Sequence, residues 1–304
     1  MENSGKTAFL TVFTPTYNRA YTLPALYESL CRQTCGDFVW SIVDDGSTDG
    51  TPELVRGWAE EQKLDIRYHR QENGGKMRAH NAGVRHCTTP LFVCVDSDDF
   101  VPDNFVDRVA AYRSQIETDN HLAGMVAYKS CREHPDGEFR VRCRFPFSGT
   151  SPLGRLYKSG FSGDTTLVFK TDVLRRFPFL EIVGEKFSTE AYAYDQIDQE
   201  YAYLLVDEAW TLCTYLPDGY THRENALWAQ NPKGVALYYN QRAEFTRAWL
   251  NKDKIAYGIL YMIYARRAGF PHIWRQSALK TPFYPAFWLL SYYYEWKWKE
   301  RFPR

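Results

Sequence analysis

The chain has 304 residues, 44% of them hydrophobic and 24% charged, with 37 basic side chains balancing 37 acidic ones. That size and balance suit one large α/β domain with an appendage, or two ordinary domains, and exclude the disordered and fibrous classes. Zero net charge removes any global attraction to nucleic acid, so no nucleic-acid partner is expected. The amino terminus lacks a basic start followed by a long apolar stretch and a small-residue cleavage site, and no window reaches the ~18 apolar residues needed to cross a bilayer. The seven cysteines are scattered, with three residues between Cys31 and Cys35, which indicates neither a zinc site nor a disulfide framework. They read as reduced, mostly buried thiols of a cytosolic protein.

In chain order, Phe9 to Thr14 is a β-rich run ending at Pro15, and Thr22 to Leu30 carries apolar residues at helical spacing. Phe38 to Val43 reads as a second buried strand. It breaks at DDGSTDGTPE, where Thr51 suits a helix cap, Pro52 the first helical position and Glu53 the positive helix end. Asp65 to His69 is a third strand, a helix is expected from about Lys76 to His86, and Leu91 to Val95 is a fourth strand. Beyond residue 100 the pattern predicts strands over Met125 to Ser130, Glu138 to Arg144 and Asp164 to Lys170, the first two around the turn His134-Pro135-Asp136-Gly137. A helix is expected over Ser188 to Gln199, and helices dominate from about Asn225, including Val235 to Leu250 and Ile255 to Arg267.

Strands alternating with helices imply right-handed crossovers and a mainly parallel sheet, with its ligand site at the carboxyl ends of the strands. TPTYNR follows strand one, DDGSTDG strand two and DSDD strand four, so three polar clusters far apart in sequence should converge. Alternation in extended backbone lets Asp96 and Asp98 project from one face. Such a carboxylate pair suits Mg²⁺ or Mn²⁺, hard cations that prefer oxygen and keep positions open for substrate phosphates. The simpler reading is an acidic strand-to-loop turn.

The strings TPTYNR, VDDGSTDGT, NGGKMRAHNAG and VDSDD together resemble the family 2 glycosyltransferases, inverting enzymes of the GT-A fold that use nucleotide sugars. The resemblance is strong over about residues 8 to 110 and weaker to about residue 225. It implies a Rossmann-like mixed, mainly parallel sheet flanked by helices, with a catalytic domain over residues 1–224. Residues 1–110 would form the donor-binding half and 111–224 the acceptor-binding half, followed by a helical, aromatic-rich extension over 225–304.

It implies site residues too. Thr14, Pro15, Tyr17 and Arg19 would form the first loop around the nucleotide, with Tyr17 able to stack on a base. Asp45 would accept from the imide of uracil, and Asp44 from the nucleoside or loop amides, while Asp49 serves the turn. Gly74 and Gly75 would let the backbone approach the donor, with Lys76 and Arg78 bringing positive charge to its diphosphate. The family's DXD motif falls on Asp96, Ser97 and Asp98. Asp98 would be the direct metal ligand, Asp96 would contact ribose or a metal-bound water, and Asp99 belongs to the same cluster. Glu190 matches the catalytic base, though this chain has Thr189-Glu190 where many relatives carry Glu-Asp; Asp195 and Glu185 compete for the role. A helix-start carboxylate is the structural alternative for Glu190. Gly163 and Asp164 resemble a loop near donor or acceptor, and His222 is a candidate late metal ligand beside the implied Mn²⁺ or Mg²⁺.

The expected partners are a nucleoside-diphosphate sugar, with UDP favoured, and a glycan or polyprenyl-linked acceptor. The Q-x-x-R-W motif and membrane spans of processive relatives are absent from the sequence, which implies one sugar per encounter, as in bacterial surface-polysaccharide assembly. Residues 281–304 are dense in Tyr and Trp with interleaved Lys and Arg. They read equally as a peripheral contact with the inner face of the plasma membrane or as a helical cap packed on protein. A nucleotidyltransferase is the distant alternative, lacking here a G-x-G-T-R loop, and a catalytically silent sugar-nucleotide binder is the other. The expected location is the cytoplasm, and the sequence leaves the oligomeric state open.

Overall fold

The computed structural model describes residues 8–134, 136–214 and 220–298, without the side chains of residues 220–224. The chain divides into two compact units: Met1–Pro178 with Gln196–Leu216, and Phe179–Asp195 with Pro217–Arg304.

The first unit opens with β1 (Leu10–Thr16), α1 (Leu23–Cys31), β2 (Phe38–Asp44), α2 (Thr51–Glu61), β3 (Ile66–Arg70), α3 (Lys76–His86) and β4 (Leu91–Cys94). It continues through β5 (Asp99–Phe100), α4 (Phe105–Thr118), β6 (Leu122–Arg132), β7 (Gly149–Ser151), α5 (Leu153–Lys158), β8 (Thr165–Lys170) and α6 (Thr171–Arg176). The division between the units falls inside α7 (Ala191–Ile197), and β9 (Ala202–Thr214) completes the sheet. Strand order is β3-β2-β1-β4-β8-β6-β9-β5, with β7 also on β9. The first four strands are parallel; β8 then runs antiparallel to both β4 and β6, and β6 pairs in parallel with β9. The result is a mixed α/β fold, a central sheet flanked by helices.

Burial explains the regularity of the first half. Every residue of β1 and β2 is buried, as expected for parallel strands covered on both faces. Tyr27 stacks on Trp58 at 4.3 Å, and both rings approach Trp40, clamping α1 and α2 onto β2. Pro15 sits inside β1 rather than ending it, opposite Val43. The pairing with β4 has already stopped at Phe13, so the missing proline N–H interrupts no bond on that side. Gly124 of β6 lies against β8 so closely that a Cβ there would stand 2.0 Å from the Val168 carbonyl oxygen.

Four sequence expectations need correction. Thr51 is the first residue of α2, and Gly50 is its N-cap. Glu138 to Arg144 is no strand: β6 already has β8 and β9 on its two edges, which leaves only a single bridge from Cys131 to Arg140. The helix expected over Ser188 to Gln199 is the shorter α7. Finally, not all seven cysteines are reduced, because Cys131 and Cys213 form a disulfide. They lie 82 residues apart in sequence but opposite one another in the β6–β9 register, a proximity that spacing does not carry. Pro135, within the expected turn, lies outside the described residues.

The second unit is helical: α8 (Tyr220–Gln230), α9 (Pro232–Phe245), α10 (Lys252–Arg267), α11 (Ile273–Gln276) and α12 (Tyr284–Lys297). Val235, Tyr238, Tyr239, Ile259, Tyr261 and Tyr264 form its core between α9 and α10. The α12 helix is fastened to α10 by Glu295, which bridges Arg266 at 2.7 Å and Arg267 at 2.8 Å. No helix among the described residues is long and apolar enough to cross a membrane.

Candidate active site

The loops that follow β1, β2 and β3 are sewn into one body. Asn18, at the left-handed φ of 54° that asparagine tolerates, accepts from the Thr48 amide at 2.8 Å while its own amide donates to Ser47 Oγ at 2.9 Å. The Arg19 amide donates to Thr51 Oγ1 at 3.1 Å, and Asp49 accepts from the amides of Ala20 and Thr51. Burial would raise the Asp49 carboxyl, but the hydroxyl and amides around it hold it below the ordinary value. Asp49 therefore serves the turn.

Asp44 and Asp45 act within the same body. Asp44 is fully buried and accepts from the Ser47 amide at 2.7 Å and the Tyr68 hydroxyl at 2.6 Å, with Arg70 Nε at 4.0 Å. Asp45 accepts from the Gly74 amide at 2.9 Å, the Gly75 amide at 2.7 Å and the Gln71 side chain at 2.7 Å. These bonds fasten the glycine loop to the end of β2, and Gly75 takes a φ of 93° that other residues rarely adopt. Thr14 is wholly buried with its hydroxyl accepting from the Trp40 indole, and Pro15 is buried beside it. Tyr17 is 47% exposed, with its ring open to a stacking partner. Arg78 lies across Gly74, where a Cβ would meet its side chain at 2.6 Å.

The acidic cluster stands at the next strand end. The β4 strand stops at Cys94, so Asp96 and Asp98 do not alternate along a strand as expected; they lie in a turn closed by the Asp99 amide donating to the Asp96 carbonyl at 3.0 Å. The turn then enters β5, held to β9 by the pairing of Asp99 with Cys213. Lys76 Nζ approaches Asp96 Oδ1 at 2.8 Å, and Lys129 Nζ lies 2.6 Å from Asp99 and 3.7 Å from Asp96. Lys76 opens α3, where a cation meets the positive end of the helix dipole; Asp96 offsets that penalty.

The electrostatics separate the three carboxylates. Burial alone would raise Asp96, but Lys76 and then Lys129 hold it far below the usual range. Asp98 is raised, first by burial and then by the charge of Asp96, with Arg19 opposing. Asp99 is pushed up to about 6 because burial outweighs Lys129. Lys129 is held above its ordinary value by Asp99 and Asp96 despite its burial. Ser97 is buried in the same turn. Behind it His80 packs edge-on against Phe13 and Phe92, and burial lowers its pKa to about 3, which keeps it neutral.

Among the described residues no group of three or more His, Cys, Asp or Glu side chains forms a ready cation cage. The donor set nevertheless fits one hard divalent ion that takes most of its ligands from water and substrate. Asp98 is half-buried, has no ion-pair partner among the described residues, and is held at a raised pKa that a nearby cation would relieve.

The remaining candidates belong to other segments of the chain. The Lys129 amide donates to the Asp164 carbonyl at 2.9 Å, which sets the Gly163-Asp164 loop beside β6. In the second unit Glu190 precedes α7, and its carbonyl accepts from the amides of Ala193 and Tyr194. Its two competitors hold structure together. Glu185 accepts from the Lys233 and Gly234 amides at the start of α9, at 2.7 and 2.8 Å, and Asp195 grips Arg242 in two bonds at 2.6 and 3.1 Å. His222 falls in α8, and its side chain lies outside the described residues. Lys129, Tyr68, Arg70 and Gln71 were not read from the sequence. Tyr68 lies within β3, Arg70 ends it and Gln71 follows it, towards the same sheet edge as the motifs; Lys129 carries no local signal.

Residues 11–175 match the model of the family described as Glycosyl transferase family 2. A PGL/p-HBAD biosynthesis glycosyltransferase of Mycobacterium bovis (strain BCG / Pasteur 1173P2) is 33% identical over 129 residues, covering 42% of this chain and 50% of the relative. A validoxylamine A glucosyltransferase of Streptomyces hygroscopicus subsp. jinggangensis is 35% identical over 132 residues, 42% of this chain and 31% of that protein. The chain thus aligns with half or less of the length of these curated relatives. Among solved structures, S. aureus TarS 1-349 in complex with UDP-GlcNAc superposes with a TM-score of 0.60 at 17% identity, over 93% of this chain and 79% of that one. The mannosyltransferase PcManGT from Pyrobaculum calidifontis, in complex with GDP-Man and Mn²⁺, gives 0.54 at 18% identity over 96% and 88%. These likenesses identify the GT-A arrangement of sheet and helices, and with the family match spanning more than half of its length the chain belongs to glycosyl transferase family 2.

Proposed function

We propose that the protein transfers one sugar from a nucleoside-diphosphate sugar, UDP being favoured, to a hydroxyl of a glycan or polyprenyl-linked acceptor, with inversion at the anomeric carbon. The observation that carries this reading is the acidic turn, where Asp98 has no ion-pair partner among the described residues while Lys76 and Arg19 supply positive charge around it. The complexes of TarS with UDP-GlcNAc and of PcManGT with GDP-Man and Mn²⁺ support the donor class and a divalent ion.

In this proposal Asp98, with Asp96 beside it, would hold Mn²⁺ or Mg²⁺, and His222 is a further candidate ligand. That ion, when bound, neutralises charge on the departing diphosphate. Tyr17 stacks on the base, while Asp44 and Asp45 fix the loops that shape the nucleoside pocket. Lys76 exchanges its Asp96 contact for the diphosphate, and Arg78 and Arg19 add charge-assisted bonds. Glu190 takes the proton from the acceptor hydroxyl. Glu185, at the N-terminus of α9, and Asp195, bonded to Arg242, are the other candidates for that task.

The aromatic helix supports a lipid-borne acceptor. Its exposed side carries Leu289, Tyr293, Trp296 and Lys297, while its acid Glu295 is paired with Arg266 and Arg267. A basic, aromatic face of this kind favours an anionic membrane interface, which would place the enzyme at the inner face of the plasma membrane. Flotation with anionic liposomes should be lost in the double variant Leu289→Gln, Trp296→Gln; equal flotation would remove this element. The transfer reaction is tested by incubating nucleotide sugars with acceptors and Mn²⁺. Glu190→Gln should lower turnover by about 10²- to 10⁴-fold with donor affinity retained, and unchanged turnover would move the base elsewhere.

A further inference from the structure

We infer that Lys129 is a positioning residue, a built-in counter-cation that ties up Asp99 and keeps the acidic turn to a single divalent-cation site; this rests on the metal-dependent reading of Asp98. Three carboxylates crowd the turn between β4 and β5, Asp99 buried and Asp96 and Asp98 half-buried, and like charges so close repel. The two lysines that answer them differ in kind. Lys76 stands at the first position of α3, beside the glycine loop and on the side expected to receive a diphosphate. Lys129 is fixed from all directions: β6 is paired on one edge with β8 and on the other with β9, and the Lys129 amide is bonded to Asp164. Its side chain is only 19% exposed, and its ammonium reaches Asp99 at 2.6 Å and Asp96 at 3.7 Å.

Asp99 is equally fixed, since β5 pairs with β9 and Asp99 faces Cys213, the residue disulfide-bonded to Cys131 two positions beyond Lys129. The sheet therefore holds this ion pair in place whatever occupies the cleft. Asp96, Asp98 and Asp99 against the two ion-paired lysines, Lys76 and Lys129, leave one negative charge in formal terms, and Arg19, which acts on Asp98 from the first loop, is the same in wild type and variants. With Lys129 neutral the excess would be two, and Asp99 would become a further oxygen donor. The wild-type pairing thus weakens binding of the bare ion and leaves its capture to the combination of Asp98 and the donor's phosphates.

The test is direct Mn²⁺ binding without any donor, followed by the electron paramagnetic resonance signal of the free ion. Lys129→Met should bind Mn²⁺ at least about tenfold more tightly than wild type, as a net change of one close charge predicts. Lys129→Arg should remain close to wild type, and the double variant Lys129→Met, Asp99→Asn, which restores the formal charge, should return towards it. Lys129→Met binding no tighter than wild type overturns the inference. If neither wild type nor any variant binds Mn²⁺, with or without UDP, the metal-dependent reading itself falls and takes this inference with it. Should Lys129→Met melt below the assay temperature, the Mn²⁺-induced rise in melting temperature of Lys129→Gln is compared with wild type; a larger rise in the variant supports the inference, and an equal or smaller one overturns it.

Discussion

Aspartates crowd two strand ends on one edge of the sheet and do opposite work. After β2, Asp44, Asp45 and Asp49 accept bonds mainly from backbone amides and neutral side chains, and those around Asp49 hold its carboxyl below the ordinary value despite burial. After β4, Asp96 and Asp99 are answered by lysines and Asp98 by no ion-pair partner among the described residues; Asp98 and Asp99 are both shifted upward. The first group is bonded into the loops of the fold itself. The second carries charge that the fold leaves incompletely compensated, the usual condition of a group reserved for a ligand.

Substitutions should separate the two regions. The largest effect is expected on turnover: Asp98→Asn should lower sugar transfer by about 10²- to 10³-fold while leaving the melting temperature unchanged or higher, because a buried, repelled charge is removed. A large fall in melting temperature would return Asp98 to the scaffold. Asp44→Ala should act chiefly on stability, with a loss of about 3 kcal/mol by denaturant unfolding, since the Ser47 amide and the Tyr68 hydroxyl lose their acceptor while buried. Asp45→Asn is milder, at about 1–2 kcal/mol, because an amide keeps one acceptor for the Gly74 and Gly75 amides.

The smallest effect sharpens the contrast through pH. Asp49 has a lowered folded-state pKa, so its contribution is present above the ordinary value of 3.8 and lost as pH falls through the lowered one. Asp98 and Asp99 have raised values, so their contribution is present below 3.8 and lost as pH rises, for Asp99 through about 6. From pH 4 to pH 7, then, Asp98→Asn should gain stability relative to wild type, whereas the deficit of Asp49→Asn should stay constant there and shrink only as pH falls below 3.8. Melting temperatures that run parallel for all three proteins from about pH 2 to pH 7 would erase the distinction.

Much of the first sheet was legible because parallel strands are buried on both faces: the apolar runs at Phe9–Thr14, Phe38–Val43 and Leu91–Val95 foretold β1, β2 and β4, and the polar strings marked the edge where they end. What was not legible depends on non-local pairing. The β9 strand is broken in pattern by Asp207 and Glu208, where its register with β6 shifts, and those acids face Tyr128, Arg144, Arg108 and Trp210 rather than a loop. Lys129 looks like any solvated lysine until β6 is set beside β5 and β9, and the Cys131–Cys213 bond becomes visible only with the same register. Extended backbone was expected to carry as far as Asp96 and Asp98 because Cys94 and Val95 are apolar, but pairing with β8 ends at Val93 and β4 at Cys94.

The central claim is that Asp98 joins a divalent cation to the donor's diphosphate. Its most direct test is the thermal stabilisation of wild type and Asp98→Asn by a UDP-sugar, each with and without Mn²⁺. At donor concentrations a hundredfold above Kd, wild type should gain about 2.7 kcal/mol, most of it only with Mn²⁺, and Asp98→Asn should show little Mn²⁺-dependent gain. Equal, Mn²⁺-dependent stabilisation of both proteins would contradict the account.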